Sequence, residues 1–208
     1  LVQMKAIGIT QFLDKSFDVY DFEGDWLESF GQPEKNFIMS IYGSSGHGKT
    51  EFAVQLTKYL ATFGKVLYCS YEQGIGKSLQ DAVRRNEMTS AIGKVIFTSG
   101  EPIDELIVRL KRKASPRIVI IDSLDYAKLT MDQFKLLKKT FPRKSFIIVS
   151  WSKNDVPKSA HAKDIEYMSC IKILVKNFKA HPRSRFGGNK PFVIWDKKET
   201  TPVQQKLF

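Results

Sequence analysis

Residues 43 to 50 read Gly-Ser-Ser-Gly-His-Gly-Lys-Thr, which satisfies the pattern G-x-x-x-x-G-K-[ST]. The apolar run Phe37-Ile-Met-Ser-Ile-Tyr42 precedes it, and Phe52, Ala53, Leu56, Leu60 and Phe63 follow at helical spacing. The octet therefore lies between a strand and a helix, as a phosphate cradle requires, because its glycines let successive backbone N–H groups close on an anion at a helix N-terminus. Gly43, Ser44, Ser45, Gly46, His47, Gly48, Lys49 and Thr50 are expected to bind a nucleoside triphosphate. Lys49 would reach the β and γ oxygens and the Thr50 hydroxyl would ligate Mg²⁺. His47 occupies a variable position of the loop and is expected to be a solvated side chain.

Short apolar runs then alternate with helix-period segments: strands at 66–70, 95–98, 117–122 and 146–150, with helices near 76–85, 102–114 and from 131 to just before Pro142. This alternation predicts an α/β fold with a mostly parallel sheet flanked by helices. Two strands at the end of the run, 171–175 and 192–195, predict a C-terminal antiparallel hairpin. Residues 1–35 form an N-terminal segment of mixed character, 36–196 the expected core and 197–208 a flexible tail. The 208 residues are 42% apolar, enough for one good core.

Lys and Arg number 33 against 22 Asp and Glu, a net charge of +11 that points to a polyanionic partner. The longest apolar blocks, 118–121 and 146–149, are strand-sized, so no membrane span is expected. Cys69 and Cys170 each lie in or beside an apolar run, which fits a reducing, cytoplasmic setting better than a disulfide framework.

Ile118-Val-Ile-Ile-Asp122 places a carboxylate at the tip of a buried strand, where it can hold Mg²⁺. Ser123, not Glu, follows it, so the base that activates water must come from elsewhere. Tyr71-Glu72-Gln73-Gly74 ends the strand 66–70 and puts Glu72 beside the phosphate loop if that strand neighbours the first. Ser152-Lys-Asn-Asp155 looks like a degenerate guanine-reading Asn-Lys-x-Asp, but Asp125, not Gly, stands three residues after Asp122, which disfavours a GTPase. Pro182-Arg-Ser-Arg-Phe-Gly-Gly188 is read as a basic turn between the last two strands, from which Arg183 and Arg185 can reach out of the subunit. Its alternative is a solvated or nucleic-acid-binding turn.

These motifs, in order, resemble the RecA-like ATPases, in particular the RadA/Sms and DnaB-type core. Gly43 to Thr50, Val66-Leu-Tyr-Cys-Ser-Tyr-Glu72, Ile118-Val-Ile-Ile-Asp122-Ser123 and Arg183-Ser-Arg-Phe-Gly187 carry the resemblance over about residues 36 to 196. It implies a hexameric or filamentous, Mg²⁺-dependent ATPase, with Glu72 as base, Arg183 and Arg185 acting on a neighbour's γ-phosphate, and loops touching single-stranded DNA. It also implies a bacterial, phage or mobile-element setting. The zinc-finger cysteines and Lon-like domain of RadA and the helical domain that precedes the DnaB core are not among these residues. At the strand-end sensor position the sequence reads Ser150-Trp151-Ser152.

By the same resemblance, segment 152–163, with Lys153, Lys158 and Lys163, corresponds to a DNA-contacting loop. Trp151 is either a base-stacking platform or a core or subunit-contact residue. Arg109 to Lys113 and Lys135 to Lys144 are expected to be solvated helix faces. Gln204-Gln-Lys-Leu-Phe208 resembles the peptide that binds a bacterial sliding clamp, the alternative being a tail with a chance Leu-Phe pair. Two functions follow: a DNA-acting ATPase (helicase, recombination motor or loader), or an ATP-gated module that binds DNA or a partner with little turnover. A small-molecule kinase is disfavoured, because no arginine-rich lid segment is evident.

Overall fold

Each apolar run is a strand because its β-branched and aromatic residues bury on both faces of a sheet, leaving no polar alternation. The computed structural model describes residues 6–195. In chain order the elements are α1 (Ile9–Leu13), α2 (Gly24–Phe30), β1 (Ile38–Gly43), α3 (Lys49–Leu60), β2 (Val66–Ser70), α4 (Lys77–Arg85), a 3-10 turn (Met88–Ala91), β3 (Val95–Thr98) and α5 (Ile103–Leu110). There follow β4 (Ile118–Asp122), α6 (Leu124–Ala127), α7 (Met131–Thr140), β5 (Ser145–Lys153), β6 (Val156–Pro157), α8 (Ala160–Met168), β7 (Ile171–Lys176), β8 (Lys179–Ser184) and β9 (Phe192–Val193).

Among the described residues one nine-stranded sheet runs β3-β2-β4-β5-β1-β7-β8-β9, with β6 beside β5. The six strands from β3 to β7 are parallel, and β8 and β9 close the far edge antiparallel. Side chains along β4 divide by parity: Ile118 and Ile120 join α3 and α4 in one cluster, while Val119 and Ile121 join α5, α7 and α8 in the other. Tyr20, Phe22 and Phe30 pack into the first cluster. Trp26 stacks on Tyr59 of α3, ring centroids 4.7 Å apart. No helix among the described residues is long and apolar enough to cross a membrane.

Three local departures from expectation matter for the site. The antiparallel hairpin is β7 with β8, not 171–175 with 192–195, and its two-residue turn is Asn177-Phe178, both at positive φ. The strand Lys179–Ser184 is hard to read because it alternates Ala180 and Pro182 inward with exposed polar residues. Pro182 is tolerated because β9 has ended by that level, so no ladder donor is missed on that side. Segment 152–163 is not a loop: β5 continues to Lys153, Asn154-Asp155 form a second tight turn, and β6 leads into α8. Ser159 caps α8, accepting a hydrogen bond from the Ala162 N–H. The fifth helix ends at Leu110 rather than near 114. Gln204 to Phe208 lie outside the described residues.

Candidate nucleotide site

The loop after β1 turns over the C-terminal edge of the parallel strands, where α/β sheets place their ligands. Gly43 allows that turn: a Cβ there would sit 2.3 Å from the Val175 carbonyl oxygen of neighbouring β7. Gly46 and Gly48 take φ +77° and +97°, conformations that glycine adopts without steric cost. Nothing lies within 4 Å of where a Gly46 Cβ would be, so the face of the loop is open to a ligand. Lys49 and Thr50 start α3, and the Lys49 ammonium donates to the Ser44 carbonyl at 2.9 Å. Burial lowers the Lys49 pKa, and Glu72, Asp122 and Asp125 oppose that shift.

His47 is not simply solvated. Its Nδ1 accepts from the Asn177 N–H at 3.0 Å and its carbonyl accepts from the Phe178 N–H at 3.2 Å, so the β7–β8 turn braces the phosphate loop. A second brace crosses above it, where Lys176 pairs with Asp155 of the β5–β6 turn at 2.6 Å.

The condition placed on Glu72 is not met, because β4 and β5 stand between β2 and β1. Glu72 nevertheless lines the same cleft as Gly46, Lys49 and Thr50, a cavity of about 270 Å³. The reason is that α3 crosses the sheet from β1 towards β2, and the chain after Ser70 turns back over the strand ends. There Tyr71 and Glu72 donate their N–H groups to the Asp122 carbonyl, at 2.6 and 3.2 Å. The Glu72 carboxylate accepts from the Trp151 indole N–H at 3.3 Å. Asp122 continues the Ile118 and Ile120 face towards α3 and is buried; burial raises its carboxyl to about 6, while a hydrogen bond from the Tyr68 hydroxyl opposes the rise.

Trp151 is half-buried. Its backbone N–H donates to the Asp125 carboxylate at 2.8 Å, Tyr126 meets its ring edge-on at 5.3 Å and the Lys158 ammonium stands 5.1 Å from the ring. It is a packed residue of the site rather than a free stacking platform. Of the three lysines expected to contact DNA, Lys158 is thus engaged with an aromatic ring, Lys153 ends β5 and Lys163 lies on α8, all exposed.

Arg183 and Arg185 are not at a hairpin tip. Arg183 lies on β8 opposite Lys172, and the Arg185 N–H donates to the Cys170 carbonyl at the start of β7. The turn that touches the phosphate loop is four residues, ~14 Å, away from Arg183 along the strand. Both arginines are exposed at the end of the sheet remote from their own cleft.

Several site residues were missed in the sequence. Tyr68 reads as one more apolar strand residue, and only the β2–β4 pairing shows that it lies within reach of Asp122. Phe178 and Trp195 line the cleft, their rings edge-to-face at 5.8 Å, and their spacing from the loop carries no signal. Gln73 contributes a buried Oε1 with no hydrogen-bond partner among the described residues, and Ser123 and Ser150 contribute similarly orphaned hydroxyls at the strand ends.

These residues fit a Mg²⁺–nucleotide. Mg²⁺ takes hard oxygen donors and needs only one or two from protein beside the phosphates, which Thr50 and Asp122 provide. Consistently, no group of three or more His, Cys, Asp or Glu among the described residues could hold a metal ion unaided.

No family model matches the chain, and no curated protein matches it by sequence. Solved structures do. A KaiC-like protein from the hyperthermophilic archaeon Pyrococcus horikoshii aligns at TM-score 0.54 and 17% identity, over 77% of this chain and 90% of that one. The ATPase domain of a DnaB-type helicase aligns at TM-score 0.52 and 17% identity, over 76% and 80%. The flagellar accessory protein FlaH from Methanocaldococcus jannaschii aligns at TM-score 0.57 and 13% identity, over 86% and 97%. All three are RecA-like P-loop structures, and the fold of this chain is RecA-like.

Proposed function

We propose that the protein is a Mg²⁺-dependent, RecA-like ATPase that acts on DNA, its active site completed by a neighbouring subunit. The observation that carries this reading is the meeting of Lys49, Thr50, Glu72 and Asp122 at one cleft, although they leave three different strands. Lys49 and the loop N–H groups would hold the β and γ phosphates, and Glu72 would accept the proton of the attacking water. Thr50 and Asp122 would hold Mg²⁺, which when bound neutralises phosphate charge. One structural neighbour is named an ATPase domain, which supports hydrolysis as the activity.

The remoteness of Arg183 and Arg185 from their own cleft supports action in trans, since neither can serve the nucleotide of its own subunit. Lys153 and Lys163 remain exposed for DNA at the same edge as the nucleotide. The test is ATP turnover against protein concentration, with and without single-stranded DNA, and with Arg185→Ala protein mixed into wild type. Turnover that rises with concentration, is stimulated by DNA and falls on mixing is expected. Nucleotide binding without turnover would instead identify an ATP-gated binding module.

A further inference from the structure

The nucleotide cleft occupies the C-terminal edge of the parallel strands, and the opposite edge carries a different chemistry. Five parallel strands are each entered through basic residues: Lys94 before β3, Lys65 before β2, Arg117 before β4, Arg143 and Lys144 before β5, and Lys35 before β1. The sheet order places these strands side by side, so the row spans about 20 Å at ~4.8 Å per strand. Hydrogen bonds tie the segments together: the Val66 N–H donates to the Lys94 carbonyl and the Ser145 N–H to the Arg117 carbonyl, both at 2.9 Å. Lys111, Arg112 and Lys113 leave α5 towards this edge, and Lys138 and Lys139 end α7 there.

We infer that this N-terminal edge is a binding surface for the sugar-phosphate backbone of a nucleic acid, with Lys65, Lys94, Arg117 and Arg143 as its contacts. Helix C-termini attract cations, and some of the edge is explained by that. Lys144 is turned inward, donating to the Pro116 carbonyl at 2.7 Å, and Lys138 donates to the Asn36 carbonyl at 2.9 Å. Lys35 pairs with Asp18 at 2.6 Å. The four named contacts differ: they lie outside the helices, are exposed, and form no ion pair among the described residues.

Acids that could neutralise them are scarce, with none from 106 to 121 or from 133 to 154. Two adjoining recesses, of about 270 and 200 Å³, share Lys35 and Arg117, and add Arg143 to one and Lys65 to the other. A row of unpaired cations at this density suits a repeating anion, whose affinity comes from counterion release, better than a single small one.

This goes beyond the proposed DNA contact of Lys153, Lys158 and Lys163, which stand at the other edge. The test uses the full chain without nucleotide, so its outcome does not depend on ATP turnover. Fluorescence anisotropy of labelled single-stranded and duplex oligonucleotides is measured over a salt series for wild type, for Lys65→Glu/Arg117→Glu/Arg143→Glu, and for Lys153→Glu/Lys158→Glu/Lys163→Glu. We expect the first variant to lose more than about tenfold in affinity near 0.1 M salt. Its slope of log affinity against log salt should flatten by about 2 on single strands, at ~0.7 per lost phosphate contact. Unchanged circular dichroism and thermal midpoint show that the variant is folded, and comparison of the two oligonucleotides tells which form the edge prefers. Equal affinity and slope in wild type and the first variant overturns the inference, as does wild type that binds neither oligonucleotide but binds acidic protein or anionic vesicles.

Discussion

The Tyr68 hydroxyl donates to the Asp122 carboxylate across the β2–β4 pair, on the face of the sheet that carries the phosphate-loop helix. Ser70 pairs with Asp122, so Tyr68, two residues back, projects to the same face. The phenol is fully buried and its own pKa is driven well up by burial and the adjacent carboxylate, so it stays a donor at every working pH.

Replacing Tyr68 with Phe removes this donor without opening a cavity. Asp122 then loses the contact that opposes its burial, and its carboxyl rises above about 6. Metal binding needs the carboxylate, so activity falls as pH drops through the Asp122 pKa, and in Tyr68→Phe that acid limb moves upward by about one unit. A pH–rate profile of Mg²⁺-ATP turnover checks this; coincident acid limbs in the two proteins would exclude the role of Tyr68.

Asp122→Asn tests the cost of the carboxylate. A carboxyl whose folded pKa is raised from 3.8 to about 6 favours the folded state most below pH 3.8, and that contribution is lost as pH rises through 6. The neutral amide does not carry this loss. The variant gains stability relative to wild type, by up to about 3 kcal/mol above pH 7, and the gain fades below pH 4 while turnover is abolished. Thermal melts of both proteins without nucleotide, from pH 4 to 8, measure the divergence.

Much of this site was legible in the chain. The octet 43–50 and the run ending in Asp122 carry their meaning locally, because a phosphate cradle and a strand-tip carboxylate are made by consecutive residues. The parallel strands were legible too, since buried strands are near-continuous apolar runs. What failed was long-range or weakly patterned. Strand β8 hides its two inward residues among Lys, His and Arg, so Arg183 was assigned to a turn it does not occupy. Lys111–Lys113 and Lys138–Lys144 read as separate helix faces, and only the sheet order brings them to one edge.

The Trp151 indole N–H that reaches Glu72 aims the carboxylate from the tip of β5. Glu72→Gln should retain nucleotide affinity and lose 10²–10⁴ in turnover, roughly the contribution of a general base. Trp151→Phe keeps the packing on Tyr126 but removes the donor, and turnover should fall several-fold with unchanged nucleotide affinity. Equilibrium binding of a fluorescent nucleotide beside steady-state turnover separates the two effects, and a parallel loss of affinity in both variants would count against the base assignment.

Glycines of the loop give a stability test that does not depend on catalysis. A Cβ on Gly43 would meet the Val175 backbone oxygen at 2.3 Å, and β1 and β7 are paired along this stretch, so neither strand can move without breaking their ladder. Gly43→Ala should therefore lower the thermal midpoint by several degrees, corresponding to the roughly 1–3 kcal/mol or more typical of overpacking. Gly64, after α3, has no atom within 4 Å of its would-be Cβ and no positive φ, so Gly64→Ala should be neutral or slightly stabilising. Gly46→Ala separates conformation from contact, because its site is open but its φ is +77°: apo stability should fall modestly through backbone strain alone. Calorimetric midpoints ranked Gly64→Ala, Gly46→Ala, Gly43→Ala from most to least stable would place the tightest constraint of the loop at the strand it leaves.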